Sequence, residues 1–274
     1  MAKKKGTIIR LVFIILAAGV LVFSGVRLIQ IYLDNKKDAA LYESIRQEVV
    51  TQIPTSVPDE PQKENEPSPE PSGESTSEPE NGTGIRVDFD ALMAINPDII
   101  GWLWIPDSDL SYPLLMGKDN QEYLRKAYNG EYSYSGSIFA DYRNSRNFTD
   151  RNTLVYGHNM KSKIMFGQLK HFLEEDYLLS HPYFYILTRE NTYQYEVFSA
   201  YQATSTSLGY TREFADDANY LKFLGNLAEL SRVKRETEFS AEDLIVTLST
   251  CTNVREDDRY IVHGRLVETA PAQP

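Results

Sequence analysis

The feature that most limits how this chain can fold is an apolar run close to its start. From Ile8 to Leu33 apolar residues dominate, and between Arg10 and Arg27 the stretch Leu11 to Val26 carries no charge. That core is slightly short of the ~20 residues that cross a bilayer. Snorkelling by Arg10 and Arg27, together with Ile8, Ile9, Leu28 and Ile31, makes up the difference. Residues 8–33 are therefore expected to span a membrane. Lys3, Lys4 and Lys5 precede the span, which predicts a cytoplasmic tail over 1–7 and export of everything after it. A cleaved signal peptide would want small residues just past the apolar core, where Val26-Arg27-Leu28-Ile29-Gln30 stands instead.

Two segments separate this anchor from the rest. Residues 34–53 read as a charged, amphipathic juxtamembrane helix. Residues 54–84 turn abruptly to Pro, Glu, Ser, Thr and Gly, with almost nothing apolar to offset the entropy of ordering. This acidic stretch is expected to be disordered and extended, a spacer lifting the domain off the membrane. Much of the net charge of −11 lies there, and that sign argues against a nucleic-acid partner.

From Ile85 to about Glu268 the sequence is globular, with a short tail over 269–274. Val87 to Ile95 has helical apolar spacing and ends before Asn96-Pro97. Eight short runs rich in Val, Ile, Tyr, Thr and Trp then read as strands: Gly101 to Ile105, Tyr112 to Met116, Ser137 to Ala140, Thr153 to Tyr156, Tyr183 to Leu187, Tyr193 to Tyr201, Leu244 to Ser249 and Arg259 to Val267. They predict a mainly β fold, a closed barrel in preference to a parallel α/β sheet. Helices are expected at Asn120 to Ala127, Ile164 to Phe172 and Glu213 to Leu230. The last carries Phe214, Ala218, Leu221, Leu224 and Leu227 at helical spacing.

The lone cysteine, Cys251, excludes an intramolecular disulfide and any multi-cysteine metal site. By type alone it reads as a small buried hydrophobe, but a free thiol in an exported domain is a candidate for reactivity. It ends the buried run Leu244 to Thr250. The run Thr153 to Tyr156 stops at Gly157-His158-Asn159, and Arg259 opens the last strand. If residues 252–258 turn the chain back, Cys251 and Arg259 share a rim, which His158 could reach from a neighbouring strand. A thiol nucleophile, an imidazole moving protons and a guanidinium facing an oxyanion together suit acyl transfer. Alternatives stay open at this point. His263 competes with His158, and by strand alternation it shares a face with Arg259 and Ile261. Arg259 beside Asp257 and Asp258 also fits a surface ion pair. His171 and His181 look solvent-facing. A papain-like protease fits poorly, because its cysteine opens a helix early in the chain.

These residues resemble the sortase family, class B most closely. Thr247-Leu248-Ser249-Thr250-Cys251 fits the family's TLxTC signature, joined by Tyr156-Gly157-His158 and by Arg259 at the start of the next strand. Gly101-Trp102-Leu103-Trp104-Ile105 leading into Tyr112-Pro113, the helical start at Val87 to Ile95 and the helix-bearing stretch Thr211 to Ser231 fit class B. The resemblance spans Val87 to Val267. It implies an eight-stranded sortase barrel with N-terminal helices and a helix inserted before the cysteine strand. It also implies His158, Cys251 and Arg259 as catalytic residues, ahead of His263, Arg255 and Arg265. Ser249 and Tyr156 resemble substrate-groove positions. The implied reaction cleaves an exported protein at the Thr of a C-terminal Pro-x-Thr-type sorting signal and transfers the product, through a thioester, to an amine. That amine is a peptidoglycan precursor's, or a pilin lysine in the polymerising relatives. The chemistry requires no metal or organic cofactor.

Overall fold

In the computed structural model the described residues are 2–52, 84–251 and 258–272. The expected turn over 252–258, apart from Asp258, lies outside them, as do Arg255 and nearly all of the 54–84 linker.

The chain opens with one unbroken helix, α1 (Ala2–Val49). Leu11 and the large apolar side chains from Phe13 to Leu33 are exposed, which fits a single-pass membrane anchor. The expected juxtamembrane helix is the outer part of this same helix. It does not stand apart from the domain: Tyr42, Ile45 and Val49 are buried in the domain's main core. The chain then forms β1 (Val50–Gln52), which pairs antiparallel with β2 (Ile85–Val87), Gln52 opposite Ile85 and Val50 opposite Val87. The two ends of the acidic linker are thus held side by side, ~4.8 Å apart as neighbouring strands are. A segment that leaves and re-enters at one place cannot set the height of the domain, so the expectation of a spacer is not met. The domain is carried by α1.

After β2 comes α2 (Phe89–Ile95), capped by Asp88, whose carboxylate accepts from the Ala91 N–H at 2.9 Å. Eight strands follow: β3 (Ile99–Trp104), β4 (Ser111–Leu115), β5 (Ile138–Ala140), β6 (Asn152–His158), β7 (Tyr183–Leu187), β8 (Asn191–Ala203), β9 (Ile245–Cys251) and β10 (Arg259–Pro271). They close a barrel in the order β10-β8-β7-β3-β4-β5-β6-β9. Pairs β4/β5 and β6/β9 are parallel and the other ladders antiparallel. Every predicted strand is present, and β10 runs past its expected end at Val267 to pair Pro271 with Asn191. Trp102, Leu103, Leu114, Ile138, Val155, Ile186 and Leu248 are essentially inaccessible and fill the core. The Trp102 indole N–H is satisfied by Ser111 Oγ at 2.9 Å.

The helices between strands depart further from expectation. Asn120 to Ala127 shortens to a 3-10 turn, Glu122–Leu124. Asp119 accepts from the Gln121 and Glu122 N–H groups at its start, and the Ala127 N–H is drawn away to the Glu131 carbonyl at 2.8 Å. Ile164 to Phe172 becomes a 3-10 segment, Phe166–Leu173, because Lys163 and Met165 have left-handed φ of 67° and 54°. A short helix not expected from the sequence, α3 (Glu175–Ser180), follows. Helix α4 starts at Asp217, not Glu213, since Asp216 caps it by accepting from the Asn219 N–H, and runs to Leu230. Its buried face is Tyr220, Phe223, Leu224 and Leu227, whereas Ala218 and Leu221 face outward. This face packs on Phe198, Tyr201, Ile245 and Ile261, forming a second core on the outside of the barrel.

Candidate active site

Strand register brings the three motifs to one end of the barrel. β6 and β9 run parallel with His158 opposite Cys251, the last pair of that ladder. β9 and β10 run antiparallel with Ile261 opposite Ser249. Continued two residues outward, the same register sets Arg259 opposite Cys251, while on its other edge Arg259 pairs with Ala203 of β8. His158, Cys251 and Arg259 therefore end or begin three adjacent strands at one rim, as the turn signals suggested. The close approach of Phe166 explains the glycine before the histidine: a Cβ at Gly157 would lie 2.8 Å from that ring.

At this rim opens a cavity of about 680 Å³, lined by His158, Arg259, Tyr156, Ser249, Thr250 and Arg143, among others. His158 is 3 % exposed. Its Nε2–H donates to the Leu124 carbonyl at 2.8 Å, fixing the tautomer. Burial pushes the imidazole below its usual pKa, the Leu124 carbonyl opposes that shift, and the nearby Arg125 charge adds to it.

The wall beside His158 is a polar network. Tyr156 donates from its hydroxyl to Asp141 Oδ2 at 3.1 Å, and Asn120 Nδ2 reaches the same oxygen at 2.9 Å. Arg143 donates to both oxygens of Asp141, at 2.8 and 2.6 Å. Burial would raise the Asp141 pKa, but these bonds and the Arg143 charge hold it at about 2. Next to Tyr156, its ladder partner Ser249 shares a hydrogen bond of 2.7 Å with Tyr210, whose ring is stacked 6.5 Å from that of Tyr156. Ser249 and Tyr156 thus line the cavity, each tied to a partner the sequence did not single out. Asp141 and Arg143 follow β5, which runs antiparallel to β6 and so ends away from the His158 rim, and no strand-end signal pointed to them. Tyr210 and Leu124 come from loops with no such signal.

His263 is on the same outer face of β10 as Arg259, but it is elsewhere chemically. It is inaccessible, stacked between Phe198 and Tyr201 beneath the second core. Thr247 Oγ1–H donates to Asn152 Oδ1, so the Thr247 oxygen accepts from His263 Nδ1–H at 2.9 Å. His263 Nε2 then accepts from the Tyr201 hydroxyl at 3.1 Å. A fully satisfied neutral imidazole results, its pKa driven to about 3 by burial. Arg265 is at the far end, paired with Glu196 at 3.3 Å and Asp243 at 3.9 Å. His171 and His181 are half-buried, not solvent-facing, and His181 stacks on Tyr177 with ring centroids 4.0 Å apart.

The sortase-domain family model matches residues 103–267. Sortase B of Listeria monocytogenes is 37 % identical over 185 residues, 67 % of this chain and 75 % of that protein. The crystal structure of sortase B from Bacillus anthracis superposes with a TM-score of 0.69 at 33 % identity, covering 86 % of this chain and 99 % of that one. A Staphylococcus aureus sortase B–substrate complex gives 0.63 at 32 % identity, covering 66 % and 84 %. Barrel, motifs and relatives agree: the chain belongs to the sortase family, is most similar to its class B members, and is a cysteine transpeptidase.

Proposed function

We propose that Cys251, as its thiolate, attacks the carbonyl of the Thr in a C-terminal sorting signal of an exported protein. The Sγ–C bond forms as the C–N bond breaks, and protonated His158 gives its proton to the departing amine. An amine of a peptidoglycan precursor then attacks the thioester, the now neutral His158 takes its proton, the thiolate leaves, and the substrate's new carboxyl end is joined to that amine. Arg259 offers its guanidinium to the developing oxyanion. Ser249 and Tyr156 form part of the floor on which the signal lies, and a Pro-x-Thr-type sequence is the proposed class. The observation that carries this reading is the pairing of position 251 with His158 on one side and, by continued register, Arg259 on the other. The substrate complex of a relative supports a protein substrate. We place the N-terminal tail in the cytoplasm and the 85–268 domain outside, from Lys3, Lys4 and Lys5 before the span.

The test mixes full-length protein with a panel of fluorogenic sorting peptides and an amine. Ligated product that disappears in Cys251→Ala is expected. Hydrolysis alone at every amine concentration, or product formation by Cys251→Ala, overturns the proposal. Preference for a lysine-bearing pilin peptide over a wall-precursor amine would instead mark a polymerising enzyme.

A further inference from the structure

The outer part of α1 does more than attach the domain. Asp38 is 3 % exposed, an expensive place for a carboxylate unless it is hydrogen-bonded. It is satisfied by two donors from one turn, Ser133 Oγ–H at 2.9 Å and the Ser135 N–H at 2.8 Å. One helical turn later and on the same face, Tyr42 donates its hydroxyl to the Gly136 carbonyl at 2.7 Å and lies 3.0 Å from Ser137 Oγ. Its ring meets Tyr112 and Tyr128 edge-on, each at 5.5 Å.

The turn so held, 133–137, grips the segment that faces His158. The Ser133 N–H donates to the Arg125 carbonyl and the Ser137 N–H to the Tyr123 carbonyl, each at 3.0 Å. The residues on both sides of Leu124 are therefore pinned. Gly136 has a left-handed φ of 59°, and a Cβ there would sit 2.6 Å from the Leu124 carbonyl oxygen. This is the carbonyl that accepts from His158 Nε2–H.

We propose that Asp38 and Tyr42, on the helix that leaves the membrane, are positioning residues for His158, acting through the 133–137 turn and the Leu124 carbonyl. The proposal rests on the reading of His158 as the proton-transfer group. Among the described residues, no α1 side chain lines the cavity. The other titratable side chains found there are Arg125, Arg143, Tyr156, Tyr210 and Arg259, and Cys251 is the strand neighbour of His158.

The test uses the full chain in bilayer nanodiscs, as Tyr42→Phe, Asp38→Asn and the double variant, with Ser44→Ala on an exposed part of the same helix as control. Peptide turnover is measured together with the NMR titration of the His158 imidazole. The double variant is expected to lose about tenfold in kcat, equivalent to ~1.4 kcal/mol, with KM within about twofold. The titration midpoint of His158 should move to lower pH, because the carbonyl that favours the imidazolium is no longer held against it. Tyr42→Phe keeps the ring contacts and should show about a threefold loss in kcat, so it carries the test if the double variant unfolds. An unchanged kcat overturns the proposal. So does a loss that only tracks the folded fraction while the His158 midpoint stays in place. The midpoint is read whether or not His158 is catalytic. Turnover by His158→Ala would therefore sink the catalytic assignment alone, and an unmoved midpoint the positioning role alone.

Discussion

His158 and His263 both project from the outer face of the barrel, and what separates their roles is their cover. His158 opens on a cavity and donates from Nε2–H to the Leu124 carbonyl, whereas His263 is held through both nitrogens in a closed site beneath α4 and the 207–211 segment. His158→Ala should abolish transpeptidation with little loss of Tm, while His263→Ala should lower Tm, breaking a buried network worth several kcal/mol, and keep turnover in the remaining folded fraction. Matched residual activities in two folded variants would overturn this division. His263 also makes a pH prediction. Its folded pKa of about 3 lies below its ordinary value of 6.5, so the unfolded chain binds the extra proton between those limits. Stability is present above about 6.5 and is lost as pH falls toward 3. Urea unfolding at pH 7 and pH 5 should show this loss, and His263→Gln should flatten it by about one proton, roughly 1 kcal/mol per pH unit. A slope identical to wild type would show that other groups carry it. The motif positions Cys251, His158 and Arg259 were legible because chemistry-bearing residues at strand ends leave a local signature. Asp141, Tyr210 and Leu124 were not, because their part depends on which loops the barrel closure brings to the rim.

At the scale of elements, strands were easier to read than helices for a physical reason. Each barrel strand buries alternate residues against a common interior, so its own composition carries the signal. The inter-strand helices owe their limits to single contacts: Asp216 starting α4, or Glu131 claiming the Ala127 N–H. The expected face of α4 held at Leu224 and Leu227 and failed at Ala218 and Leu221, because Tyr220 and Phe223 bury more area than those two could. The site depends most on the β6/β9 ladder, and Gly157 is its tightest point. Gly157→Ala should cost about 1–3 kcal/mol through the clash with Phe166 and lower turnover by displacing His158. Adding Phe166→Leu should recover part of both. If Gly157→Ala is neutral in Tm and kcat, the close approach does not hold His158 in register.

For the whole molecule, composition split the chain into anchor, spacer and domain, and the split failed where a long-range pairing overrode it. Residues 50–52 look like the end of a charged helix, and only their register with 85–87 shows that the linker closes on itself. The distance between bilayer and active site then depends on α1. Exposed apolar residues reach Leu33, and Asp38 is already buried against the domain. The intervening Asp34 to Lys37 rise only ~6 Å along a helix. With α1 as the proposed membrane anchor, the domain would therefore have little freedom to move away from the bilayer, and the acidic segment, whose two ends meet at the β1/β2 pair, would add none. Replacing 54–83 by a two-residue Asn-Gly turn, which suits a tight antiparallel connection, should leave Tm and the turnover of membrane-tethered substrate within about twofold of wild type. Inserting four Ala residues between Leu33 and Asp38 should instead lift the domain by another ~6 Å and rotate it by about one turn. That variant should act on soluble peptide at the wild-type rate and on bilayer-tethered substrate more slowly. If the linker replacement slows the tethered reaction while the insertion does not, the linker sets the height and α1 does not.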